Sequence, residues 1–467
     1  MKTIEKKIVI RAGERHCPWS YRAVIKPILI FFLGFGLFAT TAGCGGGGTT
    51  TGETEQSTGD TITSEDSSWT TVEKNEFVLA RMREWYLWYE SIPSHLKGSD
   101  FDSPEAVLEA ARDQDRDPWS YITSLADMTA RLSTGEFTGI GIRTRQDEAG
   151  QLWITQVFSD SPAATAGLKR GDQIQSINGR TPAQITADDG WDTAFGADAA
   201  GVVVALAILR QPSANLSFSV TKTTFIVDSV HDRKVIDQGS TRIAYLAYDS
   251  FTNASYSSLL NAFSYFKAMS VSEMVLDLRY NSGGLVNMAA LVASFLRDAS
   301  NEDVFAILQY NNRHSDDNGT LNYTRLSTDL NLSRVFVISS STTCSASEML
   351  IQGLKPFLTV VQVGTTTCGK PVGMDVVSFD DQVLAAVTFR IVNANGESDY
   401  FDGLTPTCIA DDDLSRDFGD TAESSLASAL SFIKNGACPV SSKRRLPMRR
   451  FVARPANLPD SGREGMW

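Results

Sequence analysis

The segment Ser339–Leu350, SSSTTCSASEML, decides how the second half of this chain is read. Eight of its first nine residues carry a hydroxyl or a thiol, and SASEMLIQGL reads as a helix starting among them. Ser345-x-x-Glu348 has the spacing of a capping box, in which two side chains satisfy the free amides of a helix start. The same position suits a nucleophile, because a serine at a helix N-terminus is exposed beside amides that stabilise a developing oxyanion. A nucleophile needs a base, and the chain has only four histidines: His16, His95, His231 and His314. None sits in a stretch that marks it as a catalytic partner. Lysine is the other candidate. Its amine, ordinarily near pKa 10.4, becomes a base near neutrality when burial disfavours the charged form. Lys370, between Gly369 and Pro371 in GTTTCGKPVG, lies in such a tight, turn-rich setting.

Outward from this segment, apolar strands alternate with amphipathic helices over residues 225–438. TRIAYLAY, EMVLDL, SRVFVIS and LTVVQVG read as strands, and YSSLLNAFSYF and MAALVASFL as helices. That alternation predicts an α/β core with a largely parallel sheet. Within it EMVLDLRYNSGG, Glu273–Gly284, is a strand running into a turn. Its two glycines let the backbone approach a ligand closely, and no G-K-[ST] follows to make it a phosphate loop.

Upstream, residues 136–224 contain a glycine-flanked loop, the strand LWITQVF, the short helix SPAATAG and the strand GDQIQSI entering Asn178-Gly179. In this order they resemble a PDZ domain. The resemblance implies that an extended peptide lies along a sheet edge, its C-terminal carboxylate on backbone amides of the loop. Here that loop is Phe137, Thr138, Gly139, Ile140, Gly141 and Ile142. Residues 73–135 read as a helical domain, with Val78, Met82, Trp85 and Tyr89 in one apolar stripe.

The N-terminus carries basic residues ahead of the twelve apolar residues Ile28–Ala39, the length of a signal-peptide core rather than a membrane span. TAGC, ending at Cys44, resembles a bacterial lipobox, although Thr41 stands where leucine is usual. Residues 1–43 are thus expected to be a signal peptide, Cys44 the lipidated residue, and 44–72 a Gly/Ser/Thr tether. Export to the periplasmic side, anchored by lipid to the outer membrane, follows as an expectation. Residues 439–467 read as a disordered basic tail. Setting aside Cys17 and Cys44 leaves Cys344, Cys368, Cys408 and Cys438, enough for two disulfides in three possible connectivities. No zinc-spaced cluster appears and no cofactor motif is present, so neither metal nor cofactor is expected. The net charge of -13 argues against nucleic acid as a partner.

The PDZ-like segment, then LDLRYNSGG, then SASE, then GK twenty-five residues after Ser345, together resemble the carboxy-terminal processing peptidases, or tail-specific proteases. The likeness extends to MREWYLWYESIP and DPWSYI near the N-terminus. It implies a crotonase/ClpP-like α/β peptidase core with an inserted PDZ-like domain and an N-terminal helical segment. It implies Ser345 as nucleophile, Lys370 as general base, Ser347 as a helix residue, and an oxyanion hole from Ala346 with Gly283 or Gly284. Many members place glutamine four residues after the lysine; this chain has Met374, so either Glu348 positions Lys370 instead or that third role is vacant. Because Cys344 and Cys368 flank the two candidate residues, a disulfide between them is expected, leaving Cys408 to pair with Cys438. The expected activity is cleavage of unfolded or C-terminally exposed polypeptides. The alternatives are a catalytically impaired peptide-binding scaffold on the same fold and, less consistent with export, an acyl-transfer enzyme.

Overall fold

The computed structural model describes residues 69–439 and the strand Glu464–Met466. The expected signal peptide, Cys44, the tether to residue 68 and most of the basic tail lie outside the described residues. Among the described residues no helix is long and apolar enough to cross a membrane.

The chain starts with α1 (Thr71–Trp85), closed at its N-terminus by a Thr70/Glu73 capping box, and α2 (Pro104–Ala111), capped by Ser103. Next come β1 (Tyr121–Ser124) and α3 (Leu125–Thr129). The expected N-terminal helical segment packs directly on the peptidase core. Val78, Leu79 and Met82 of α1 bury against Val372, Leu384 and Val387 of the peptidase core, and β1 joins a core sheet. A pair of short helices cannot bury its own apolar stripe, and the neighbouring sheet supplies the missing face.

The PDZ segment comprises β2 (Glu136–Gly139), β3 (Ile142–Gln146), β4 (Leu152–Val157), α4 (Pro162–Ala166), β5 (Gln173–Ile177), α5 (Pro182–Ala187), α6 (Trp191–Ala194), β6 (Val203–Arg210), β7 (Ala214–Thr221) and β8 (Thr223–Ile226). Strands β3 to β7 form one antiparallel sheet in sequence order. Ile142, Ile154, Ile174, Trp191 and Leu206 fill its core. β2 pairs with β8 as a two-stranded stem through which the chain enters and leaves, so the segment is an insertion. Ser161 caps α4, and Gly167 ends it with φ of 86°. Asn178 and Gly179 turn with φ of 49° and 82°.

The peptidase core holds β9 (Val230–Gln238), β10 (Thr241–Tyr248), α7 (Tyr256–Ala268), β11 (Glu273–Asp277), α8 (Val286–Leu296), β12 (Val304–Tyr310), β13 (Gly319–Asn322), β14 (Arg334–Ser339), α9 (Ala346–Leu354), β15 (Thr359–Gly364), β16 (Val372–Phe379), β17 (Gln382–Val392), β18 (Cys408–Ile409) and α10 (Ser424–Asn435). One sheet has the order β18-β15-β14-β11-β10-β9, parallel except at β9. α7, α8 and α9 cover one face and α10 the other. This is the expected α/β layer. A second sheet, β1-β17-β12-β13 with β16 beside β17, is entirely antiparallel. No local sequence pattern announces it, because its strands come from three separated parts of the chain.

The PDZ sheet is tied to the core by buried charges. Arg170, just before β5, donates to the Tyr280 hydroxyl at 2.9 Å and pairs with Asp412. Arg143 of β3 donates to the Tyr280 carbonyl at 2.9 Å. Tyr280 belongs to the turn that carries Gly283.

Candidate active site

Ser345 lies where β14 gives way to α9, with φ of 54° and ψ of -115°. A non-glycine residue in that region is strained, and such residues cluster at functional sites. A sharp strand-to-helix turn of this kind presents a serine hydroxyl at the top of a sheet. The next amide, Ala346 N–H, opens the helix and has no intrahelical acceptor.

The glycine turn packs directly against it. A Cβ added to Gly283 would lie 2.8 Å from Ser345 Cβ and 3.1 Å from Ala346 N, and φ there is 109°. Only glycine fits. The Gly283 N–H donates to Asn281 Oδ1 at 2.9 Å. The bridge to Phe251 uses Gly283 O and Leu285 N, so the Gly284 N–H points away from it. Of the two expected oxyanion donors in the turn, Gly284 is the one left unengaged among the described residues.

Asn281 was not singled out from sequence, yet it organises this corner. Its carbonyl accepts from Cys344 N at 3.2 Å and Ser347 Oγ at 2.9 Å, and its amide donates to Tyr248 O at 3.0 Å. Ser347 is buried and engaged there, which leaves Ser345 as the half-buried hydroxyl at the turn.

Glu348 is wholly buried and holds two loops at once. Its carboxylate accepts from Ser345 N at 3.0 Å, Gly369 N at 2.8 Å, Lys370 N at 2.8 Å and Thr367 Oγ1 at 2.5 Å. Burial pushes its carboxyl above the usual range, against the pull of these donors. The expectation that Glu348 positions Lys370 thus takes a specific form: it grips the backbone N–H of Lys370. Cys344 and Cys368 are joined alongside, Cα–Cα 5.2 Å, and Cys408 and Cys438 at 5.5 Å.

Lys370 is 7% exposed. Desolvation lowers its amine to about 8, although Asp117 and Glu348 work in the opposite direction. The Trp119 ring centroid lies 5.9 Å from Nζ, and Met374 Sδ lies 3.8 Å from it. Met374 therefore stands against the amine. It offers only a weak thioether acceptor and adds to the desolvation. Asp117 and Trp119 come from DPWSYI, so the N-terminal segment completes the surroundings of the lysine. His231 pairs instead with Asp249 at 2.9 Å, and His314 stacks on Trp85 beside Glu84 and Asp317.

In the PDZ loop, Phe137, Thr138 and Gly139 are paired in the stem. The carbonyls of Ile140 and Gly141 accept from Ala163 N at 2.8 Å and Phe158 N at 3.0 Å. In a trans peptide the next N–H points the opposite way. The amides of Gly141 and Ile142 therefore face away from α4 and β4, at the start of edge strand β3. Gly141, at φ of 86°, leaves no room for a Cβ beside Ser161.

A PDZ sheet inserted between a helical segment and an α/β core, with a strained serine beside a buried lysine, defines a peptidase-type architecture. Comparison with known proteins agrees. Residues 242–410 match peptidase family S41, residues 73–121 the S41 N-terminal domain, and residues 127–193 the PDZ domain. The carboxy-terminal processing protease CtpA of Bacillus subtilis is 24% identical over 280 residues, covering 60% of this chain and 57% of the relative. The carboxy-terminal-processing protease of Bartonella bacilliformis is 26% identical over 304 residues, covering 63% and 66%. The match thus spans roughly three fifths of the curated relatives' length. The crystal structure of a protein assigned to the S41 proteases, from Bacteroides fragilis, superposes with a TM-score of 0.63 at 28% identity, covering 77% of this chain and 97% of that one. By these matches the chain carries an S41 peptidase region with the S41 N-terminal domain and a PDZ domain, and it is similar to carboxy-terminal processing proteases.

Proposed function

We propose that this chain is a serine endopeptidase that cleaves unfolded or C-terminally exposed polypeptides by a Ser-Lys mechanism. The observation that carries the proposal is the Glu348 carboxylate accepting from both Ser345 N and Lys370 N. One buried group thereby fixes the backbone of nucleophile and base, and the base has an amine lowered to about 8.

In this mechanism neutral Lys370 Nζ takes the proton of Ser345 Oγ as the oxygen attacks the peptide carbonyl. The amides of Ala346 and Gly284 receive the oxyanion. The tetrahedral species expels the amine, which leaves with the proton returned by Lys370, and an acyl-enzyme on Ser345 remains. Water, deprotonated by the same lysine, releases the acid product. The PDZ edge at β3 selects substrates by a free C-terminus, whose carboxylate meets the Gly141 and Ile142 amides. The two disulfides form after export, and lipidation of Cys44 anchors the protein on the periplasmic side.

The test incubates an unstructured protein bearing an apolar C-terminus with the parent, Ser345→Ala and Lys370→Ala, and identifies products by mass spectrometry. Cleavage by the parent alone is expected, with faster turnover of free-acid than of C-terminally amidated substrate. A scaffold that binds peptide without cutting is the second reading, favoured by Met374 in place of glutamine; peptide binding without cleavage by the parent would select it.

A further inference from the structure

The outer edge of β3 is not empty. The segment Glu464–Met466, β19, pairs antiparallel with it, Glu464 opposite Arg145, Gly465 opposite Thr144 and Met466 opposite Arg143. The strand therefore runs toward Ile142 and the loop whose amides face outward. An extended peptide entering with its C-terminus toward the loop would take the same edge and the same direction. Main-chain pairing of this kind is insensitive to side chains, so a substrate tail and this segment compete for one set of donors and acceptors on β3. The side chains of Arg143 and Arg145 reach the core instead: Arg143 donates to Tyr280 O, and Arg145 lies 3.6 Å from Asp412.

We propose that the chain's own segment Glu464–Met466 is a cis ligand of the PDZ edge, which a substrate tail must displace before it is held there. The inference rests on the peptide-binding role assigned to the PDZ segment under the proposed function. Residues 440–463 connect the segment to the body by 24 residues. A tether of that length gives an effective concentration on the order of 1 mM. An incoming tail of equal intrinsic affinity is then outcompeted until it reaches a similar concentration, so the enzyme acts on tails that are abundant, better fitted or locally concentrated.

The experiment uses the full chain, the full chain with Gly465→Pro, and a chain stopped after Pro439, all carrying Ser345→Ala so that peptide stays intact. Proline at 465 removes an N–H and cannot hold the pairing. Two readouts are taken: hydrogen exchange of the β3 amides, and binding of a labelled free-acid peptide LPDSGREGMW, the sequence of residues 458–467. Slow exchange in the full chain alone is expected, with peptide binding about tenfold or more tighter in the two variants. Equal exchange in all three proteins, or equal peptide affinity in all three, overturns the proposal. A separate outcome bears on the parent reading. If the shortened chain binds LPDSGREGMW but no apolar free-acid substrate tail, the cis ligand stands and substrate selection by this edge falls.

Discussion

At the joint between PDZ segment and core, Arg279 is met by Asp277 at 2.8 Å, Asp412 at 2.8 Å and Glu423 at 2.9 Å, while Arg170 shares Asp412. At the candidate active site Lys370 is equally enclosed, yet among the described residues it forms no ion pair and faces a tryptophan ring and a thioether. Desolvation acts on both cations, with opposite results. Three carboxylates outweigh it at Arg279, whose guanidinium is held more firmly charged than usual. Nothing comparable opposes it at Lys370, which is brought down to about 8. A buried cation surrounded by counter-charges serves as a joint; one left short of them serves as a base.

The largest expected break of this contrast is chemical. Lys370→Arg retains a cation that does not deprotonate in a protein, so cleavage should fall by about 10³-fold or more, as with Ser345→Ala. The double variant should lose little beyond either single change, because the two residues act as one unit. Initial rates on a fluorogenic peptide, with thermal melts to verify folding, check this.

The joint should fail structurally instead. Arg279→Ala leaves Asp277, Asp412 and Glu423 buried without their cation, at a cost of about 3–5 kcal/mol, read from the urea midpoint. Acid should do the same gradually. Burial pushes Asp412 upward, but Arg170 and Arg279 more than offset it and hold its carboxyl well below the usual range. A depressed carboxylate contributes stability above its unfolded pKa of about 3.9 and loses it as pH falls toward the folded value. Asp412→Asn should flatten that acid limb.

At Lys370 the sign reverses. Between about 8 and the ordinary lysine value the unfolded chain binds more protons than the folded one, so stability should rise with pH across that window. Lys370→Met, which removes the desolvated amine, should abolish cleavage and stabilise the fold by on the order of 1–3 kcal/mol. Urea titrations at pH 7 and pH 10 compare the two proteins, and a variant less stable than the parent at pH 7 would sink the idea.

The smallest change sharpens the comparison most. Met374→Gln places a polar acceptor 3.8 Å or closer to the amine in place of sulfur. It should orient the lysine and relieve desolvation, moving the acid limb of kcat/KM upward from about 8. An unmoved limb would mean that Met374 does not set the amine's environment.

Much of this is legible in the amino-acid sequence. The strained serine is announced by a capping pattern at a strand end, the insertion by a glycine loop, cap and turn in order, and the lysine by its turn-rich frame. Sequence missed the second sheet, in which β1 lies about 180 residues before β12 and β12 about 70 before β17. It also missed Asn281, which looks like an ordinary turn asparagine until its carbonyl is seen holding Cys344 and Ser347.

Local signals suffice wherever the physics is local: caps, turns, apolar period and the order of elements follow from backbone sterics and short-range hydrogen bonds. The sequence by itself therefore determined the layered core, the PDZ insertion and the residue types available for chemistry. Only the tertiary structure decided that Glu348 grips both loops, that Gly283 is occupied and Gly284 is not, that Met374 faces the amine, and which buried cation meets carboxylates. Each depends on groups distant in the chain excluding water from the same few ångströms, and burial is a property of the assembled fold.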